Sequence, residues 1–234
     1  MRDRLCEFPD AGSMIANLAD NIVRRLSAAV QDRGRASFVV SGGTTPGALF
    51  DVLSTRDAPW DKIWITLSDE RWIAPTEDGS NEKLVRTRLL CGKAATAHFV
   101  AMKTEDVKPE DAQAAVGAAI AAMPHPFDVT LLGMGDDGHT ASLYPQAAEL
   151  KAALDTKAPA LVHAVHAKNA AATGDRMTLS LRAILDSQWI VVLIKGAAKM
   201  KTYRDAEEGA DPLKMPVRSV LAQADVPVEV FWAP

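Results

Sequence analysis

Apolar residues recur every three or four positions at Ile15, Leu18, Ile22, Leu26 and Val30, which places them on one stripe of a helix. Gly34 is its stop signal. Residues 37–40 predict a short strand. The turn residues after it, Ser41-Gly42-Gly43-Thr44-Thr45, lead to Pro46, which suits the first position of a second helix. Residues 62–67 read as a buried strand that ends in the charged cluster Asp69-Glu70-Arg71, followed by a loop. Ser80 or Asn81 is placed to cap a helix that continues to about residue 90. The alanine-rich residues 109–123 form another helix. Further strands are predicted at 127–132, 161–165, 189–194 and 228–231. A short segment lies at 177–185, and Gly196 opens a helix toward Glu208.

Strands alternating with helices indicate an α/β protein with a mainly parallel sheet. No internal repeat, low-complexity tract or long Gly/Ser linker divides the chain. One domain over residues 1–234 is therefore expected, with room for a small lobe on the sheet. With 234 residues, 48% of them apolar, the chain has ample material for a core. The net charge of −4, without a basic stripe, argues against nucleic acid as a partner. The apolar runs are too short to span a bilayer, and the N-terminus lacks the apolar core of a signal peptide, so no membrane partner is expected. Cys6 and Cys91 are isolated, with no CxxC spacing, and read as reduced or buried thiols. Together these features predict a cytoplasmic protein.

Three loops carry chemistry. In Ser41-Gly42-Gly43-Thr44-Thr45, backbone N–H groups, hydroxyls and a helix start all favour an anion. It is not a P-loop, because the Gly-Lys-Ser/Thr ending is missing. In Asp69-Glu70-Arg71, three charges directly after an apolar strand are expected at its mouth, since burying them unpaired costs several kcal/mol. Arg71 offers a planar fork to an anion. The third loop follows residues 127–132 and holds Gly133, Gly135, Asp136, Asp137, Gly138 and His139. Its glycines satisfy GxGxxG. Two carboxylates where a pyrophosphate would lie, and a following helix cut short by Pro145, speak against a nicotinamide site. His139 is better read as a general base, with Asp136 or Asp137 orienting the ring. His163 and His166, three apart on a strand, point to opposite faces and do not form a metal pair. His98 and His125 lack supporting neighbours in sequence.

Taken in order, these segments resemble the 6-phosphogluconolactonase family of the glucosamine-6-phosphate isomerase/deaminase-like superfamily. They are Ser41-Gly42-Gly43-Thr44-Thr45-Pro46, Asp69-Glu70-Arg71-Trp72 with Ser80-Asn81, and the run from Gly133 to Pro145. Arg176-Met177-Thr178-Leu179-Ser180 and Gly196-Ala197-Ala198-Lys199 are weaker matches. The resemblance implies a doubly wound, Rossmann-like sheet with flanking helices and no nucleotide site. It implies cofactor-free hydrolysis of 6-phospho-D-glucono-1,5-lactone, in the oxidative pentose phosphate or the Entner–Doudoroff route, by a monomer. Carried over by position, His139 is the base, Asp137 its orienting carboxylate, and Arg71 a positive group facing the sugar acid. Ser41, Gly42, Gly43, Thr44 and Thr45, with Arg176 and Lys199, form the phosphate clamp. Asp69 and Gly135 line the same pocket. No metal and no cofactor is expected.

Two rival readings fit the sequence less well. In the sister amino-sugar deaminases and isomerases the histidine motif ends in Asn-Glu-Pro, whereas here Leu143-Tyr144-Pro145 stand there. Asp-Glu-Arg also replaces that group's Asp-Glu-Tyr. A sugar-phosphate sensor with a DNA-binding lobe would need more chain than is present, and the intact His139 favours an enzyme.

Overall fold

The structure is a computed structural model that describes residues 4–167 and 173–234. Among these residues, strands β1 (Leu5–Glu7), β2 (Ala36–Val40), β3 (Ile63–Leu67), β4 (Asp69–Arg71), β5 (His98–Val100) and β6 (Val129–Leu132) precede β7 (Val162–His166), β8 (Asp175–Leu179), β9 (Ile190–Lys195) and β10 (Val228–Ala233). The helices are α1 (Ala11–Arg33), α2 (Thr44–Leu53), α3 (Asn81–Arg88), α4 (Pro109–Ala121), α5 (Leu150–Ala153), α6 (Leu181–Leu185), α7 (Ala197–Glu208) and α8 (Val217–Leu221).

Seven strands form a parallel sheet in the order β1-β10-β9-β6-β2-β3-β5. Strands β2 and β6 are buried at every position. Continuous apolar runs of this kind are what a sheet covered on both faces requires. Helix α1 is capped at its start by the Asp10 carboxylate, which accepts from the Ser13 N–H at 2.8 Å. At its end Gly34 takes a φ of +75°, a left-handed turn that favours glycine. The expected stripe is its buried face, with Ile15, Leu18, Ile22 and Leu26 all in the core. The chain runs outward from β2 to β3 and β5, then returns to β6 and runs the other way to β9 and β10. The point of reversal lies between β2 and β6, where a doubly wound sheet opens a crevice at the carboxyl ends of its strands.

A second, antiparallel sheet of order β4-β8-β7 stands where the sequence left room for a small lobe. Residues 161–165 and 177–185 supply it: the latter resolve into the end of β8 and helix α6. Ser68 welds the two sheets. Its N–H donates to the Val40 carbonyl at 2.7 Å, extending the β2–β3 ladder, and its own carbonyl accepts from the Leu179 N–H at 2.8 Å, beginning the β4–β8 ladder. The outer edge of β7 is covered by side chains: the Ala164 N–H donates to Gln113 Oε1 at 3.0 Å.

The charged cluster is placed differently from expectation. It is strand β4 rather than the head of a loop, and Asp69 and Glu70 are buried. Glu70 is tolerated there because four donors surround it. Oε1 accepts from the N–H groups of Arg71 (2.7 Å) and Asn81 (2.8 Å), and Oε2 from the Glu82 N–H (2.7 Å) and Ser80 Oγ (3.1 Å). Burial pushes its pKa up, and the three backbone N–H groups oppose that. One buried carboxylate thus ties the first turn of α3 to β4, and Ser80 completes the cap by accepting from the Lys83 N–H at 3.1 Å. Helix α2 also starts two residues earlier than expected. Gly43 turns the chain with a φ of +113°, so Pro46 falls in the third helical position. Its missing N–H costs nothing there, since that group has no intrahelical partner.

On the far side of the small sheet, His166 joins α4 to β8. Its Nδ1 bonds Asp175 Oδ1 at 2.8 Å and its Nε2 bonds Glu110 Oε1 at 2.6 Å. His163, on the opposite face of β7, has its pKa lowered by burial.

Glu70→Gln is expected to cost about 1–3 kcal/mol, because an NH₂ group then faces two buried donors. A urea midpoint that falls without a change in m-value checks it. The hydrogen bonds to Asp175 and Glu110 raise the His166 pKa. Their stabilisation is fully present below the unfolded histidine pKa and is lost as pH rises through the raised folded value. The difference in Tm between the wild type and His166→Ala should therefore be larger at pH 6 than at pH 9.

Candidate active site

The loops after β2, β4 and β6, with β8 and the start of α7, surround a cleft of about 340 Å³ at the point of reversal. The loop after β6 supplies its floor. His139 Nδ1 donates to Asp137 Oδ1 at 2.6 Å, and the His139 N–H donates to the same oxygen at 3.0 Å. The hydrogen bond from His139 holds the Asp137 carboxyl below its usual range. With Nδ1 committed to a carboxylate, the other ring nitrogen, Nε2, carries the lone pair that can accept a proton. Asp137 stands behind the ring and does not line the cleft.

Asp136 has a different partner. It pairs with Lys199 Nζ at 2.7 Å, and the same ammonium donates to the Met134 carbonyl at 2.7 Å. The geometry therefore separates the two aspartates: Asp137 meets the histidine and Asp136 meets the lysine.

Glycines make this loop possible by leaving space. A Cβ on Gly135 would lie 2.1 Å from His139 Nδ1 and 2.7 Å from Asp137 Oδ1. Gly138 adopts a φ of +77°, and a Cβ there would meet Met215. The Gly135 N–H closes the loop by donating to the His139 carbonyl at 2.8 Å.

The opposite wall comes from the small sheet. Arg71 and Arg176 face each other directly across β4 and β8. Like charges in such a pair repel. Arg71 donates to the Gly79 carbonyl. Burial is the largest influence lowering the Arg176 pKa, and the neighbouring Arg71 adds to it, while Tyr144, Asp69 and Glu70 act the other way. An anionic ligand offsets the repulsion between the two guanidinium groups. Asp69 is held beneath them by Ser142 Oγ at 2.6 Å and Ser68 Oγ at 3.1 Å.

Of the residues singled out in sequence, Ser41, Gly42, Asp69, Arg71, Gly135, His139, Arg176 and Lys199 line the cleft. Gly43, Thr44 and Thr45 line an adjoining recess that shares Gly42, Gly133, Met134 and Lys199 with it. The start of α2 has no side-chain cap, so its first N–H groups are available to an anion.

Sequence reasoning gave Asn81 no place in the site and treated Tyr144 only as a departure from a motif. Asn81 lines the cleft and donates through Nδ2 to the Asp69 carbonyl at 2.8 Å. Its amide lies so close to Gly42 that a Cβ there would sit 1.9 Å from Asn81 Oδ1. Tyr144 lines the cleft with its ring centroid 4.2 Å from that of His139. The paired glycines after β2 were the one sequence signal of a close approach. Nothing local named the side chain that makes it. Among the described residues, no group of histidine, cysteine, aspartate and glutamate is arranged to hold a metal ion, and no helix is long and apolar enough to cross a membrane.

Comparison with known proteins gives a consistent picture. Residues 9–232 match the family model described as glucosamine-6-phosphate isomerases/6-phosphogluconolactonase. A 6-phosphogluconolactonase of Mesorhizobium japonicum is 43% identical over 97% of this chain and 94% of its own length. One from Rhizobium meliloti is 39% identical over 97% of both chains. The crystal structure of a 6-phosphogluconolactonase from Shewanella baltica superposes with a TM-score of 0.95 at 42% identity, covering 98% of this chain and 97% of that one. A monomeric glucosamine-6-phosphate deaminase, 16% identical, shares the fold with a TM-score of 0.78, covering 98% of this chain and 97% of that one.

Gly135→Ala is expected to push the His139 ring off Asp137. The hydrogen-bonded Nδ1 proton, seen far downfield in the NMR spectrum of the wild type, should disappear while the thermal midpoint falls only modestly.

Proposed function

Because the chain belongs to the glucosamine-6-phosphate isomerase/6-phosphogluconolactonase family, we propose that it hydrolyses 6-phospho-D-glucono-1,5-lactone to 6-phospho-D-gluconate, with His139 as the base. The observation that carries this reading is the Asp137–His139 pair at 2.6 Å, in which a carboxylate binds one nitrogen of an imidazole that lines the cleft together with two arginines. The relatives at 39–43% identity described above are 6-phosphogluconolactonases, which supports the choice of substrate.

The chemistry suits these groups. A lactone is an activated ester, so a positioned water, a base and a stabilised oxyanion suffice. His139 Nε2 takes a proton from water, and the water oxygen bonds to C1 of the lactone. Negative charge on the carbonyl oxygen is met by Arg71 or nearby backbone N–H groups. As the bond from C1 to the ring oxygen breaks, protonated His139 returns its proton to that oxygen. The product is a hydroxy acid that ionises in water. Asp137 orients the imidazole and stabilises its charged form. No covalent enzyme intermediate, metal or cofactor enters these steps.

The phosphate group lies far from the reacting carbon and serves as a handle. Ser41, Gly42, Gly43, Thr44 and Thr45, at the open start of α2, hold it together with Arg176 and Lys199. Asp69 and Gly135 line the path between the two ends. The enzyme acts as a single-domain monomer in the cytoplasm, in the oxidative pentose phosphate or the Entner–Doudoroff route.

The test is hydrolysis of freshly prepared 6-phosphogluconolactone, with and without chelator, against the spontaneous rate. Rapid, chelator-insensitive turnover is expected. No acceleration, with turnover of glucosamine 6-phosphate instead, would move the chain to the isomerase branch. His139→Ala should lower kcat by about 10²–10⁴-fold, the usual worth of a positioned general base, while phosphogluconate still binds in a titration. Lys199→Ala should instead raise KM about 10–100-fold, the worth of one charged hydrogen bond, with kcat little changed.

A further inference from the structure

Tyr144 touches both halves of the cleft and has no part in the steps above. It is the fifth residue after His139, and a tight turn folds it back over the imidazole. Thr140 and Leu143 form an isolated antiparallel bridge, the Leu143 N–H donates to the Thr140 carbonyl at 3.0 Å, and Ala141 takes a φ of +48°. The turn is pinned to the small sheet from below. The Ser142 N–H donates to Thr178 Oγ1 at 3.1 Å, and Ser142 Oγ donates to Asp69 Oδ2 at 2.6 Å. Tyr144 is thereby held with its ring centroid 4.2 Å from that of His139, at an interplanar angle of 36°. The Arg176 guanidinium carbon lies 5.8 Å from the same ring centroid, within reach of a cation–π contact.

We propose that Tyr144 is a positioning residue for the hydrolysis. Its aromatic ring holds the His139 imidazole on Asp137 and stabilises the imidazolium formed when water is deprotonated, while its contact with Arg176 sets the spacing between base and anion clamp. The inference rests on the reading of His139 as the base. Burial is the largest influence on the Tyr144 phenol and pushes its pKa up, so the hydroxyl stays neutral and does not compete for the base role. Among the described residues, the charged groups around this ring pair are Asp137 and Asp136 from the same loop, Asp69 and Arg71 from β4, Arg176 from β8 and Lys199 from α7. Of these, only Asp137 bonds the imidazole directly. The ring covers part of what remains, and it does so through its π face rather than its hydroxyl.

The contribution differs from a structural one in what it changes. A cation–π contact strengthens as the imidazole gains charge, so its loss appears in kcat rather than in KM. Tyr144→Leu is expected to lower kcat about tenfold with KM changed less than threefold, and Tyr144→Phe, which keeps the ring, to retain kcat within about twofold. In the free enzyme, the His139 ring protons should carry an upfield ring-current shift in the wild type and in Tyr144→Phe, and lose it in Tyr144→Leu. Tyr144→Met, flexible and apolar, replaces the leucine variant should that one fail to fold. Unchanged kcat and unchanged His139 resonances in the ring-deleted variant would overturn the proposal. So would a Tyr144→Phe as impaired as Tyr144→Leu, since the hydroxyl would then be the active part. The two readings fail separately. Turnover surviving in His139→Ala removes the base assignment, whereas an inactive His139→Ala beside an unimpaired Tyr144→Leu removes only the role of Tyr144.

Discussion

The backbone of Ser68 belongs to two ladders at once. Its N–H continues the parallel sheet and its carbonyl starts the antiparallel one, at 2.7 and 2.8 Å. Everything that faces His139 across the cleft depends on that junction. It turns the chain out of β3 and into β4 within one residue, so that Arg71 and, by register, Arg176 come to stand over the carboxyl ends of β2 and β6. A parallel sheet alone offers backbone N–H groups and helix starts at this place. The small sheet adds two cations, Arg176 buried and Arg71 half-buried.

Arg176 is costly to bury, and the surrounding structure shows how charge is accommodated there. Asp69 brings a carboxylate to the face of β4 that carries Arg71, held by two serine hydroxyls, while Glu70 on the opposite face is held by three backbone N–H groups and Ser80. Such a network is stable only when its members are satisfied, because an unpaired buried charge is worth several kcal/mol against folding. The same network fixes the positions of α3 and of the turn that carries Tyr144. Stability and site geometry are therefore set by one set of contacts.

Steric emptiness is the second organising device. Gly42 makes room for the Asn81 amide and Gly135 for the His139 ring. In each case the side chain that fills the space is itself held by a carbonyl or a carboxylate. The glycines are thus part of the same positioning scheme as the polar groups, although they touch no proton.

Much of this was legible in the chain. The apolar runs at residues 37–40, 127–132 and 189–194 and the stripe on α1 reflect patterns of two or 3.6 residues, and these are local properties that survive in any tertiary setting. The loop from Gly133 to His139 announced its chemistry because its groups are neighbours in sequence. Local pattern also misled where a local signal had two solutions. Pro46 suited the first helical position, yet the positive φ of Gly43 started the helix earlier. Three charges after a strand suggested a solvated mouth, yet donors from α3, some ten residues on, allowed Glu70 to be buried. By itself, then, the sequence determined the α/β alternation, the anion-friendly turn after β2 and the presence of an imidazole beside carboxylates. Only the tertiary structure decided that Asp137 rather than Asp136 meets that imidazole, that Asn81 covers Gly42, and that two arginines oppose each other over the cleft. The physical reason is one of range: backbone periodicity is written within a few residues, whereas Lys199 drawing Asp136 away from the imidazole, the Asn81 amide over Gly42 and the Arg71–Arg176 pair join segments about 40 to 100 residues apart, and the arginine pair exists only once Ser68 has joined the two sheets.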